Sequence, residues 1–297
     1  MFDRDRWDVL RVHTHNSANA TDCIGASIMD AARLIDREIW REGSPRLSSR
    51  SVPEETAVAL TYNGGTYAAM MTTPQDLEDF AIGFSLSEGV VTSSSDMDSL
   101  DIVRFDDGVE LRMWLSKPRA DRLQQRRRHI AGPTGCGLCG IESIAEAMRP
   151  TAVVGRSRQF TPEQIMAAME SLPFRQKLNI ETRAVRAAAF WNLTSGIAAL
   201  REDVGRHNAL DKLSGAVARA AIAASEGMIL PTSRVSVEMV QKSAAIGAPV
   251  IVSVSAPTAL AVRMAEAAGI TLAAIARADG FEVFTHPCRI SHGPLRQ

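Results

Sequence analysis

The stretch best equipped for chemistry in this 297-residue sequence is Thr134-Gly135-Cys136-Gly137-Leu138-Cys139-Gly140. Two thiols at this spacing can exchange a disulfide, hold a metal or carry a sulfur atom. Behind them Ile141, Ile144, Ala145 and Met148 recur at i, i+3, i+4 and i+7 before Pro150, which predicts a helix with Cys139 near its first turn. Free backbone N–H groups and the positive end of the helix dipole favour a thiolate there, and such positions take a cysteine from ~8.5 to ~3.5–7.5. The glycines let a partner approach the backbone closely and let the loop move. Just upstream, Pro118–His129 carries Arg119, Arg122, Arg126, Arg127 and Arg128 against Asp121. It reads either as a solvated basic loop or as a docking surface for an anion or an acidic partner.

Structural zinc needs four ligands, normally two such pairs, and Cys23, Cys288 and the six histidines are scattered without ligand spacing. A thioredoxin-like exchanger places its pair after an early strand, whereas this pair is mid-chain. Buried structural thiols seldom need adjacent glycines. A persulfide carrier, in which one thiolate accepts a sulfur atom as S–SH, stands beside disulfide exchange as a reading of the pair.

The elements that must position this pair belong to an ordinary globular chain. Hydrophobic residues make up 45% and charged residues 23%, enough for a large core without disulfides. Thirty-three Lys and Arg against 34 Asp and Glu leave a net charge of −1, so no global field recruits nucleic acid or anionic lipid. No apolar run approaches the ~18 residues of a membrane span. The first residues lack an apolar signal core, and four cysteines are too few for a disulfide scaffold, so a cytoplasmic location is expected.

Residues 1–50 show no clean periodicity and end in a Gly/Ser/Pro/Arg run, so they are expected to be a poorly ordered tail or linker. Residues 51–150 predict a small α+β part ending in the Cys-x-x-Cys loop and helix. In it Asn63-Gly64 and Asp107-Gly108 mark hairpins, and Thr73-Pro74 begins a helix that stops near Gly89. Residues 151–290 alternate strand-like and helical segments, which predicts an α/β layer fold, and 291–297 form a tail. In this half Thr161 to Gln164 forms a capping box, Asn208 caps an Ala-rich helix running to Ala224, and Thr258 begins another.

Four segments in this order carry a resemblance: GCGLCG, REDVGRHNALDK (Arg201–Lys212), SRVSVEMVQK (Ser233–Lys242) and VSAPTALAV (Val254–Val262). Together they resemble the formate dehydrogenase accessory sulfurtransferase family, FdhD, from about Ser51 to Ile290. The resemblance implies a cytidine-deaminase-like layered sheet with helices, a homodimer, and a chaperone-like sulfurtransferase. Such a protein takes sulfur from a cysteine desulfurase and passes it to the molybdenum bis(molybdopterin guanine dinucleotide) cofactor before formate dehydrogenase receives it. It implies that Cys136 carries the persulfide and that Cys139 assists. It also places Ile275, Ala276, Arg277, Ala278, Asp279 and Gly280 against the cofactor.

Other residues suit the nucleotide ends of that cofactor. Arg206, His207, Ser233, Arg234 and Ser255 lie in or beside strand-to-helix turns, where anions gather on helix N-termini in open α/β sheets. GDP is accordingly expected to bind as a fragment. Arg201, Glu202, Asp203 and Arg206 can equally form an ion-pair cluster holding a strand–helix corner. One departure stands out: Arg186 occupies the place where the family commonly carries a histidine before two alanines. Without the His-x-Glu of zinc deaminases, and with its Cys-x-x-Cys earlier rather than later, the chain is not expected to deaminate.

Overall fold

The computed structural model describes residues 10–16, 30–130, 151–155 and 157–291. The Cys136–Cys139 pair and its helix lie outside these residues.

The expected tail is instead a source of strands: β1 (Arg11–Asn16), β2 (Ala32–Arg41) and β3 (Ser44–Pro53). β2 and β3 form a separate two-stranded ribbon that turns at Glu42-Gly43, with φ of 52° and 77°. The run read as linker is β3 itself. It pairs through its backbone while carrying Ser, Arg and Pro side chains, so no apolar alternation marks it.

The first unit adds β4 (Thr56–Tyr62), β5 (Gly65–Thr72), helix α1 (Leu77–Ser87), β6 (Met97–Phe105), β7 (Gly108–Leu115) and helix α2 (Lys117–Ile130). Asn63 and Gly64 sit at φ 49° and 79°, as a type I′ hairpin requires. The second hairpin turns one residue early, at Asp106-Asp107. The sheet runs β1-β6-β7-β4-β5. Val58, Leu60, Phe80, Ile82, Leu100 and Leu111 fill the core between it and α1. Thr73 does not cap α1. The helix starts at Leu77 behind Asp76, which is left-handed at φ 54°, because Thr73 is engaged elsewhere. The basic run around Arg126–Arg128 is helical, within α2, rather than a loop.

The second unit continues with α3 (Pro162–Ser171), α4 (Lys177–Thr182), β8 (Arg186–Asn192), β9 (Gly196–Asp203), α5 (Arg206–Arg219), β10 (Gly227–Pro231), α6 (Val237–Ile246), β11 (Val250–Val252), α7 (Ala259–Ala267), β12 (Thr271–Arg277) and β13 (Gly280–Thr285). The predicted capping box is present: Gln164 N donates to Thr161 Oγ1 at 3.2 Å, and Thr161 N donates to Gln164 Oε1 at 2.9 Å. Thr258 caps α7 by accepting from Ala261 N at 3.2 Å. The Ala-rich helix begins at Arg206 and ends at Arg219, so Asn208 lies inside its first turn rather than capping it.

The sheet order is β13-β12-β11-β10-β8-β9. β10, β11 and β12 are mutually parallel, and β8 is antiparallel to both β10 and β9. The carboxyl ends of β9, β10, β11 and β12 therefore share one edge with the start of β8. The mixed α/β layering is of the class the alternating pattern predicts.

The two units meet where α1 crosses α5. A Cβ on Gly83 would stand 1.7 Å from the Asp211 carbonyl oxygen, and one on Gly215 would stand 2.0 Å from that of Asp79. No side chain larger than hydrogen fits at either position without moving a backbone.

Candidate functional site at the carboxyl edge of the second sheet

The motif Arg201–Lys212 divides into a buried half and an edge half. Asp203, at the end of β9, is fully buried and collects donors from both units. Its Oδ1 accepts from Gly205 N at 2.7 Å and Asn208 Nδ2 at 3.1 Å. Its Oδ2 accepts from the Thr72 hydroxyl, from Thr73 N at 3.0 Å and from Lys212 Nζ at 2.7 Å. Lys212 also donates to Thr73 O at 2.8 Å, and Thr73 Oγ1 accepts from Val204 N. Burial pushes the Lys212 ammonium below its ordinary range, while Asp203 pulls it back.

Arg201 donates twice to the buried Asp79 of α1, at 2.6 and 2.7 Å, and Arg219 reaches the other oxygen at 2.9 Å. Lys242 of α6 binds both oxygens of Asp211 in α5, at 2.7 and 2.9 Å. Glu202 accepts from Leu178 N and Asn179 N at the start of α4. The ion-pair reading thus holds for Arg201 and Asp203. Glu202 ties down backbone N–H groups, and Arg206 makes no ion pair among the described residues.

The edge half points the other way. Arg206 and His207 open α5 directly after β9. Ser233 and Arg234 follow β10, and Ser255 follows β11. Ala278 and Asp279 form the turn between Arg277, the last residue of β12, and Gly280, the first of β13. Arg186 starts β8 opposite Asp203 on the same edge. Topology thus gathers every expected nucleotide-binding residue onto one edge, under the N-termini of α5, α6 and α7.

These residues are not equally available. Ser233 is buried; its hydroxyl donates to Arg234 O at 3.2 Å, and its carbonyl accepts from Ser253 Oγ at 2.8 Å, so it braces the turn. Ser255 N donates to Ser253 Oγ at 3.1 Å. Ala276 is buried in the strand, and Ile275 sits at φ 53° in the bulge between β12 and β13, an outlier for a β-branched residue. That bulge re-aims Arg277, whose Nη1 donates to Val254 O and to Ala276 O. Its Nε and Nη2 have no partner among the described residues.

His207 Nε2 lies 2.6 Å from Glu238 Oε2 of α6, off the line of a hydrogen bond. Burial, against the pull of Glu238, holds the imidazole below its ordinary value of 6.5. The unfolded chain therefore takes up this proton first, and the histidine's contribution to stability falls as pH drops through about 6.5.

Two buried polar atoms at this edge lack partners among the described residues: Arg206 Nε and Ser236 Oγ. Ser236 is the residue before α6 yet makes no side-chain cap. Sequence reasoning passed over it in favour of Ser233, although Ser236-Val237-Glu238, a serine with an acid two residues on, is itself a helix-start signal. Orphaned donors beside three helix N-termini suit a phosphate or another polyoxygen anion. Among the described residues no cluster of His, Cys, Asp and Glu could hold a metal ion, and no helix is long and apolar enough to cross a membrane.

Fold and edge together define a two-unit α/β protein with an anion-suited carboxyl edge. The chain belongs to the FdhD/NarQ family, whose profile matches residues 53–291. It is 49% identical over 268 residues to the sulfur carrier protein FdhD of Agrobacterium fabrum, covering 90% of this chain and 99% of that one. It is 54% identical over 244 residues to the protein of that name from Brucella abortus, covering 82% and 91%. A solved structure from Desulfotalea psychrophila, described as a candidate formate dehydrogenase accessory protein, superposes with a TM-score of 0.70 at 23% identity. It covers 88% of this chain and all of that one, and so shares the fold.

Proposed function

We propose that this chain is a cytoplasmic sulfur carrier that matures a molybdenum enzyme. Cys136 takes sulfur from a cysteine desulfurase, and the sulfur passes to the bis(molybdopterin guanine dinucleotide) cofactor before formate dehydrogenase accepts it. The carrying observation is the near full-length kinship with proteins named sulfur carriers. The paired thiols and the anion-suited edge support the same reading.

The chemistry balances with the thiols at hand. The Cys136 thiolate attacks the terminal sulfur of a desulfurase persulfide, the S–S bond breaks, and the desulfurase thiolate leaves. Cys136 then bears S–SH. Attack by the Cys139 thiolate on the inner sulfur forms a Cys136–Cys139 disulfide and releases the outer sulfur as hydrosulfide. Two thiols are oxidised as one sulfur is reduced, and a cellular dithiol resets the pair.

Incubation with desulfurase and cysteine is expected to add the mass of one sulfur to the wild-type chain and none to Cys136→Ala, with formate dehydrogenase activity lost in cells carrying the variant. A reversible loss of two hydrogens without sulfur uptake would make the protein a disulfide exchanger. No change at either thiol, with cofactor binding retained, would leave a binding chaperone.

The cofactor, as substrate, presents two guanine nucleotide ends, which suits a two-fold dimer with one edge site per chain. Arg206, Arg234 and Arg277 would hold the phosphates by charge, His207 by a ring N–H, and the backbone of α5, α6 and α7 by its N–H groups. GDP is expected to bind at about one site per chain, and Arg277→Ala to weaken it by about 1.5–3 kcal/mol through loss of a charged hydrogen bond. Calorimetry showing equal binding by the variant would remove Arg277 from the site.

A further inference from the structure

The β2–β3 ribbon has two unlike faces. Its ladder pairs Arg33 with Val52 through Arg41 with Ser44 without a slip, so directly opposed residues share a face. One face carries Arg33, Arg37 and Arg41 from β2 and Arg46 and Arg50 from β3, with Ile35 and Ile39 between them and no carboxylate. The other carries Asp36, Glu38, Leu34, Trp40 and Leu47 and no base. The chain's overall balance of −1 conceals this separation.

The two basal arginines are engaged: Arg33 pairs with Glu54, and Arg50 Nη2 donates to Thr182 O at 2.9 Å. Arg37, Arg41 and Arg46, toward the tip, are exposed and have no partner among the described residues. Trp40 is 68% exposed and Leu47 91%. A lone two-stranded ribbon is marginal in water, and ten-residue strands extend it about 34 Å from its base.

Its base lies beside the candidate site. Thr182, which Arg50 grips, ends α4, and Arg186 opens β8 on the carboxyl edge opposite Asp203. A protein collecting cargo from that edge must come within reach of the ribbon. A desulfurase need reach only Cys136. Duplex nucleic acid fits poorly: a ribbon in a groove meets phosphates on both flanks, and Asp36 and Glu38 would face one of them.

We propose that the ribbon is a docking arm that lays Arg37, Arg41 and Arg46, with Ile35 and Ile39, on an acidic protein surface of the enzyme that accepts the cofactor. This rests on the sulfur-carrier reading above.

The test compares the full-length chain with an Arg37→Ser, Arg41→Ser, Arg46→Ser variant and with the matching triple lysine variant. Both are measured for affinity to formate dehydrogenase apoenzyme at low and high salt. Three solvent-exposed pairs are together worth about tenfold in affinity. The serine variant is therefore expected to bind about tenfold more weakly at low salt, with the gap closing at high salt as screening shortens to a few ångströms. The lysine variant should keep most of the affinity and its salt dependence. Sulfur uptake, GDP binding and thermal midpoint should be unchanged in both. Equal apoenzyme binding by wild type and serine variant, with sulfur uptake intact, overturns the arm and spares the sulfur-carrier reading. A wild-type chain that takes up no sulfur overturns that reading itself. Arginine-dependent binding to duplex DNA, with none to the apoenzyme, overturns the arm in favour of a nucleic-acid surface.

Discussion

Lys212→Met is expected to destabilise the folded chain by about 3–5 kcal/mol, the usual cost of stranding one member of a buried ion pair. Lys212 and Asp203 are both fully buried. The methionine fills nearly the same volume, so the loss isolates charge from packing. It leaves Asp203 facing Thr72, Thr73, Gly205 and Asn208 without a counter-ion, and Thr73 O without its donor. Adding Asp203→Leu should not restore wild-type stability, because those donors would then lose their shared acceptor. Urea denaturation at neutral pH measures the difference. A loss below about 1 kcal/mol would mean that the four remaining donors compensate the Asp203 carboxylate without Lys212.

Gly83→Ala is expected to cost about 3 kcal/mol, at the upper end of overpacking effects. Usually such a clash relaxes by turning a side chain. Here the added methyl meets the Asp211 carbonyl at 1.7 Å, with Gly215 N at 2.6 Å, and both belong to the backbone of α5. The helices must separate, which pulls Asp79 from Arg201 and Arg219 and Asp203 from Thr73. Gly215→Ala should act alike from the opposite helix. Differential scanning calorimetry should find a lowered midpoint and two resolved transitions as the units uncouple. A single transition at the wild-type temperature would show that the crossing is looser than its geometry.

The parts of this structure that were legible in the sequence are those governed by local chemistry. Asn63-Gly64 turns because two adjacent positive φ values favour those residues. Thr161 and Gln164 cap each other across three residues. The strand-to-helix turns after β9, β10 and β11 followed from pattern, and with them the membership of the carboxyl edge. The misreadings share a cause in long-range partners. Thr73 has a cap's composition but turns to Asp203 and Val204, some 130 residues away. Asn208 looks like a cap but reaches back to Met71 O at 2.8 Å. β3 went unseen because a free-standing ribbon buries neither face, and burial is what writes alternation into a strand. Cys136 and Cys139 rest on spacing and kinship alone.

The buried ties also set an order of events during synthesis. Asp79 leaves the ribosome 122 residues ahead of Arg201 and 140 ahead of Arg219. At ~5–20 residues per second, the first unit waits on the order of ten seconds or longer with the Asp79 carboxylate and the bare backbone at Gly83 facing water. Its sheet and α1 can collapse early, but the polar underside of α1 stays open until α5 emerges and closes over it. A helix of the second unit is thus what completes the first. A chain cut short before Arg201 keeps its hairpins and loses the counter-charges that let Asp79 be buried.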